Sequence, residues 1–201
     1  MCEPAELGFE AGQWISVPFG PKTVRAYSIA STPRSSRRIT LCADVAPGGI
    51  GSAWFRGLAA GQRVEFKAPF GGFVFRRDDA RRPLFVAEEI GIVPIRAMLA
   101  DLDETGFELR GTLVSWGRDP SWLPYHAEFL TVAQRRPGFA YHPVAPSASI
   151  ADLSAAVAAL AWDTRDLVAY VSGGGAMIGA VREVLMARGL DRKSVRWEKF
   201  W

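Results

Sequence analysis

Arg25-Ala26-Tyr27-Ser28 brings a permanent cation, an aromatic ring and a hydroxyl into one short segment. Thr23, Val24 and Ile29 beside it favour extended backbone, and in a strand residues 25 and 27 share a face. A guanidinium grips phosphate and a phenol stacks on a flat heterocycle, so the segment suits a ligand carrying both. Alone, the same residues also describe an ordinary strand with an exposed arginine and a half-buried tyrosine. Two glycine-rich turns carry related chemistry. Pro47-Gly48-Gly49-Ile50-Gly51-Ser52 feeds Ala53-Trp54-Phe55-Arg56, and Ser172-Gly173-Gly174-Gly175 feeds Ala176-Met177. Glycine lets backbone approach a ligand closely, and free N–H groups at a helix start attract phosphate. Each turn by itself also reads as a plain loop.

The elements that must position these groups fall into two halves. Strands are expected over Gln13–Val17, Thr23–Ile29, Ile39–Val45 and Arg63–Ala68, punctuated by Pro18, Gly20-Pro21, Pro33, Pro47-Gly48-Gly49 and Gly61. Only residues 51–58 have room for a short helix there, and Pro69-Phe70-Gly71-Gly72-Phe73 reads as a tight corner or a ligand loop. The charged run Arg76 to Arg82 then acts as a linker between an all-β unit over residues 1–80 and a second domain over residues 81–201. In the second, strands at 83–87, 109–115, 140–144, 167–171 and 195–200 alternate with helices at 94–105, 125–135, 150–160 and 176–188. That alternation predicts an α/β domain with a five-stranded parallel sheet and ligands beyond the C-terminal strand ends. Those ends include Ala87-Glu88-Glu89-Ile90-Gly91-Ile92-Val93-Pro94 and the Ser172 turn.

Composition narrows the function. The 201 residues are 49% hydrophobic and 22% charged, ordinary for a chain that buries a core. The formal charge of +3, with no basic block interleaved with aromatics, argues against nucleic acid and suits docking of an acidic protein. Cys2 and Cys42 are too few for a four-thiolate iron–sulfur site or a structural zinc, and His126 and His142 lie far from both, as structural or surface groups. Trp116, Trp122, Trp162 and Trp197 read as core or interface aromatics. With no signal-peptide pattern and no apolar run of about 18 residues, a soluble cytoplasmic protein with reduced thiols is expected.

Four stretches follow one another in order: Phe9-Glu10-Ala11-Gly12-Gln13-Trp14, Arg25 to Ser31, Gly48 to Ser52, and Gly61 to Phe73. Their spacing resembles the ferredoxin–NADP reductase superfamily, which implies an antiparallel flavin-binding β-barrel followed by a pyridine-nucleotide α/β domain. The resemblance implies that Arg25 contacts the flavin pyrophosphate, Tyr27 stacks on the isoalloxazine, Ser28 hydrogen-bonds near flavin N5 with Ile29 beside it, and Gly48, Gly49, Ile50, Gly51 and Ser52 hold the phosphates. It places Gly91, Pro94, Arg118, Gly173, Gly174 and Met177 with the nucleotide, Ser172 on the hydride path, and Phe200 or Trp201 over the flavin face, the alternative being a simple hydrophobic end to the last strand. Ser28, Ser172 and Trp201 are then the expected catalytic residues.

The implied cofactors are FAD, with FMN as the alternative, and NADPH or NADH. The implied activity passes hydride from NAD(P)H to the flavin, and then electrons to an external acceptor: ferredoxin, flavodoxin, or a separate oxygenase or iron–sulfur subunit. Arg34, Arg37, Arg38 and Arg76 to Arg82 would steer an acidic carrier. Three departures stand out. Glu88-Glu89-Ile90 replaces the usual Gly-Gly-Thr, Ser172 replaces a cysteine, and the barrel motif starts almost at Met1. The first two favour an alternative, a flavin-binding electron-transfer subunit of the same fold without efficient NAD(P)H use. The third means that Met1 is not the true start, or that a second copy or a partner chain covers an open barrel edge.

Overall fold

The computed structural model describes residues 6–35, 37–108, 110–117, 123–144 and 148–201. Its first half holds β1 (Trp14–Pro18), β2 (Val24–Ser28), helix α1 (Ile50–Gly57) and β3 (Lys67–Phe70). They form a three-stranded antiparallel sheet in the order β2-β1-β3, a short and open form of the expected barrel. Ile15, Val17 and Ile29 are buried beneath it, where Leu7, Phe9, Phe19, Leu41 and Trp54 pack.

Two expected strands differ. Residues 39–45 contribute only the isolated bridge Leu41–Ile29, and of 63–68 only Lys67 and Ala68 join a strand. A strand needs a neighbour for its N–H and C=O groups. Residues 61–66 run exposed without one, leaving Val64 and Phe66 in solvent.

The second half contains β4 (Arg82–Glu88), α2 (Ile92–Glu104), β5 (Gly111–Trp116), α3 (His126–Arg135), β6 (Phe139–Pro143), α4 (Ile150–Leu160), β7 (Leu167–Gly173), α5 (Gly175–Ala187) and β8 (Val195–Lys199). The five strands are all parallel, in the order β6-β5-β4-β7-β8. Helices α2 and α3 cover one face through Phe85, Leu113 and Tyr170, and α4 and α5 cover the other through Val86, Val114 and Val171. Burial on both faces explains the unbroken apolar runs of β4 and β7. The chain winds from β4 outward to β6, then returns to β7, so the order reverses between β4 and β7. A crevice opens at such a reversal, beyond the C-terminal strand ends. Among the described residues no helix is long and apolar enough to cross a membrane.

The two sheets are joined along one seam. Phe75 stacks on Tyr170 at 5.5 Å between ring centroids, and Tyr170 stacks on Phe85 at 5.3 Å. The Tyr170 hydroxyl also accepts a hydrogen bond from the Arg76 backbone N–H at 3.1 Å. Nearby, Arg96 of α2 donates to the Ala30 carbonyl at 2.8 Å and pairs with Glu128 of α3 at 2.9 Å. The Thr32 hydroxyl donates to Glu104 at 2.7 Å.

The turn between β4 and α2 holds Glu89 at φ +47°, a left-handed conformation that glycine adopts at least cost. Two stability outcomes follow at Tyr170, read from urea or thermal midpoints. Tyr170→Phe keeps the stack but strands the Arg76 N–H, costing about 1–2 kcal/mol, whereas Tyr170→Ala costs about 3–5 kcal/mol.

Candidate functional site

Between the two halves lies a cavity of about 360 Å³. Tyr27 and Ser28 of β2 form one wall, Cys42 and Asp44 a second, and Glu89 and Ile90 a third; Phe200 and Trp201, just past β8, close it. Trp54 stacks behind Tyr27 at 5.6 Å with 26° between the rings, and Phe55 meets Tyr27 edge-on at 4.9 Å. The ring is thus held by α1. Burial pushes the Tyr27 phenol pKa up, against a smaller pull from Arg25, so it stays a neutral hydrogen-bond donor at ordinary pH.

The glycines of the first turn have distinct reasons. A Cβ on Gly51 would collide with the Tyr27 hydroxyl and lie 3.8 Å from Arg25 Cγ, which also puts Arg25 and Tyr27 on one face, as their spacing requires. Gly48 has φ +74°, and Gly49 caps α1 with backbone only, so no side-chain cap competes for the N–H groups of this helix start. That arrangement can receive an anion. Ser52, in the first turn of α1, is buried, while Ile50 is exposed. Arg25 is exposed, with its guanidinium donating to the Val24 carbonyl at 2.9 Å. Ser28 is buried at the cavity wall. Ile29 is not brought to the cavity: its side chain is fully buried with Ile15 and Val17, and its N–H donates to the Gln13 carbonyl.

On the other side the two strand-end turns touch. A Cβ on Gly91 would strike the Ser172 carbonyl, one on Gly173 would lie 2.6 Å from Glu88 Cβ and 2.7 Å from Met177 Cε, and one on Gly174 would strike the Trp201 indole nitrogen. Pro94 is buried in the first turn of α2, away from the cavity lining. The tail continues the sheet: Phe200 N–H donates to the Gly173 carbonyl at 2.9 Å, and Gly175 N–H to the Trp201 carbonyl at 3.3 Å. Arg118 and Trp122 lie outside the described residues, as do Cys2 and Leu109.

Strand register adds a group that motif reading left without a role. Ala87, Ser172 and Glu198 are partners across β4, β7 and β8, so their side chains share the sheet face that carries Phe85 and Tyr170. Ser172 Oγ is fully buried and has no hydrogen-bond partner among the described residues, and neither has Glu198 Oε2. Burial raises the Glu198 pKa to about 7, so its carboxyl exchanges a proton near neutrality beside an open serine hydroxyl. The available signal was one acidic residue amid the terminal aromatics. His126 Nδ1 meets the Tyr141 hydroxyl at 3.0 Å, and His142 is exposed. Trp116 is buried, but Trp162 and Trp197 are exposed rather than core; each meets an arginine, Arg82 and Arg182.

A slot walled by rings, with a glycine-rich helix start beside it and a second at the strand crevice, fits a flat cofactor bearing phosphates. Comparison with known proteins points the same way. Residues 2–75 match the family described as oxidoreductase FAD-binding domain. The chain is 36% identical over 115 residues to reductase component 2 of terephthalate 1,2-dioxygenase from Comamonas sp., covering 57% of this chain and 34% of that protein. It thus spans about a third of that relative's length. It is 27% identical over 209 residues to ferredoxin–NADP reductase B of Sorangium cellulosum, covering 96% and 85% of the two chains. The crystal structure of the Amycolatopsis cytochrome P450 reductase GcoB superposes with a TM-score of 0.81 at 25% identity, over 97% of this chain and 62% of that one. With its two sheets, its ordered motifs and its FAD-binding match over residues 2–75, the chain is similar in sequence and fold to flavoprotein reductases of the ferredoxin–NADP reductase kind.

Proposed function

We propose that this chain is a flavoprotein reductase that draws on NADPH or NADH and delivers electrons to a separate protein. The observation that carries the reading is the ring-walled cavity between Tyr27 and Trp201, beside the glycine-capped start of α1. FAD, when bound, supplies the conversion between two-electron and one-electron chemistry. The chain's own residues bind and orient. Tyr27, braced by Trp54, offers a stacking face; Gly48 to Ser52 and Arg25 receive the phosphates; Ser28 donates a hydrogen bond at the ring edge. Trp201 shields the cavity from water and must shift to admit a nicotinamide. Gly91, Gly173, Gly174 and Met177 shape the nucleotide crevice, Ser172 orients the reacting groups, and Glu198 holds or releases a proton beside it.

The acceptor is an acidic carrier such as ferredoxin or flavodoxin, or an oxygenase or iron–sulfur component. Exposed Arg34, Arg37 and Arg38 give it a positive approach, and a second copy or a partner chain covers an open edge of the three-stranded sheet. The reading places the chain in the cytoplasm, with units meeting near residue 80.

Reconstitution with FAD should give flavin absorption bands that NADPH or NADH bleaches without oxygen; absence of the bands would refute the assignment. Tyr27→Ala should weaken FAD binding by about tenfold or more, measured by fluorescence titration.

Glu198 predicts a pH dependence. Its pKa near 7 in the folded chain exceeds the ordinary 4.5, so the folded state holds this proton more tightly than the unfolded state. Its favourable contribution is complete below about 4.5 and is lost as pH rises through about 7. Glu198→Gln should remove that decline, worth on the order of 2 kcal/mol between pH 5 and 8 in urea midpoints. An unchanged slope would exclude this carboxyl as its source.

A further inference from the structure

At the crevice between β4 and β7 the chain supplies its own anion. Glu88 closes β4, is 6% exposed, and its Oε2 accepts a hydrogen bond from Gly174 N–H at 2.7 Å, at the start of α5. The adjoining donor, Gly175 N–H, is taken by the Trp201 carbonyl. The three-glycine turn is shaped around this side chain: a Cβ on Gly173 would lie 2.9 Å from Glu88 Oε2, and one on Gly174 would lie 3.0 Å from it. Absent side chains there let a carboxylate lie flat against the turn, as they would let a phosphate do so. A carboxylate at a helix start is favoured by the helix dipole as well as by the hydrogen bond. A phosphate oxygen entering the same crevice competes with Glu88 Oε2 for the Gly174 N–H, and two negative groups at that separation repel each other.

We infer that Glu88 is the residue that sets nucleotide affinity: its carboxylate fills the anion position at the start of α5, and the phosphates of a dinucleotide must displace it. The inference rests on the reading that this crevice receives a nicotinamide nucleotide. Binding and displacement oppose each other, so wild-type affinity is weak and is governed by one side chain. Glu88→Gln keeps an acceptor of the same length and loses the charge; Glu88→Gly empties the position.

The test is calorimetric titration of the FAD-loaded chain with NADP+ and with NAD+, for wild type and both variants. The expected result is tighter binding of at least one nucleotide by about tenfold in Glu88→Gln, and by at least as much in Glu88→Gly. Amide exchange at Gly174 gives a second readout: faster in nucleotide-free Glu88→Gly than in wild type, and slowed again by saturating nucleotide. Affinities of both variants within about twofold of a measurable wild-type value would overturn the role of Glu88 and leave the reductase reading standing. No binding by any of the three proteins would overturn both.

Discussion

The contact on which the candidate site depends is the seam where Phe75, Tyr170 and Phe85 stack and the Arg76 N–H meets the Tyr170 hydroxyl. Neither half holds a complete cavity. β2 presents Tyr27 and Ser28, but the opposite wall comes from the turn after β4 and from the tail after β8, more than sixty residues further along the chain. Tyr170 belongs to β7, the strand whose end carries Ser172 and Gly173, so the residue that fixes the seam also fixes the height of the crevice. Arg96 and Thr32 add polar ties on the same side, to Ala30 and Glu104. A buried aromatic stack with one satisfied hydroxyl is stiff, because aromatic rings have few rotamers and an unpaired N–H there is costly.

The crevice itself is built from close backbone approach. Gly91 lies against the Ser172 carbonyl and Gly174 against the Trp201 indole, leaving no room for a methyl group at either position. In that confined space small changes of side chain have large electrical consequences. Ser172 and Glu198 face the first half with oxygens that have no hydrogen-bond partner among the described residues, while Glu88 turns its carboxylate onto the α5 backbone. Three oxygen-bearing side chains at adjoining strand ends thus experience different surroundings: one neutral and open, one poised near neutrality, one bound to an amide.

Much of this was legible from residue order. The cation–ring–hydroxyl segment and the turn at Gly48 to Ser52 converge because Gly51 packs directly on Tyr27, and alternating strand and helix patterns after Pro83 yield the parallel sheet. Other features were not, for reasons of context. The alternation at Ile39–Val45 is as regular as that of a strand, yet the segment forms one bridge, since pairing depends on a neighbour and not on its own pattern. Ile29 sits next to Ser28 and faces the opposite way, as period two demands. Glu198 gains its environment from register with Ser172, twenty-six positions away, which local composition does not encode. Trp54 resembled any helix aromatic until α1 folded back on Tyr27.

The exposed run at residues 62–66 bears on how the protein behaves at high concentration. Val64 and Phe66 alternate with Arg63, Glu65 and Lys67, so one side of the ribbon is greasy and the other charged. Antiparallel stacking of two such ribbons centred on Glu65 sets arginine opposite lysine and glutamate opposite glutamate, and in-register parallel stacking sets every charge opposite its like. Runaway fibre growth, which needs long flat edges with little charge, is therefore resisted by the ribbon's own lettering, even while its hydrophobic side stays open to water.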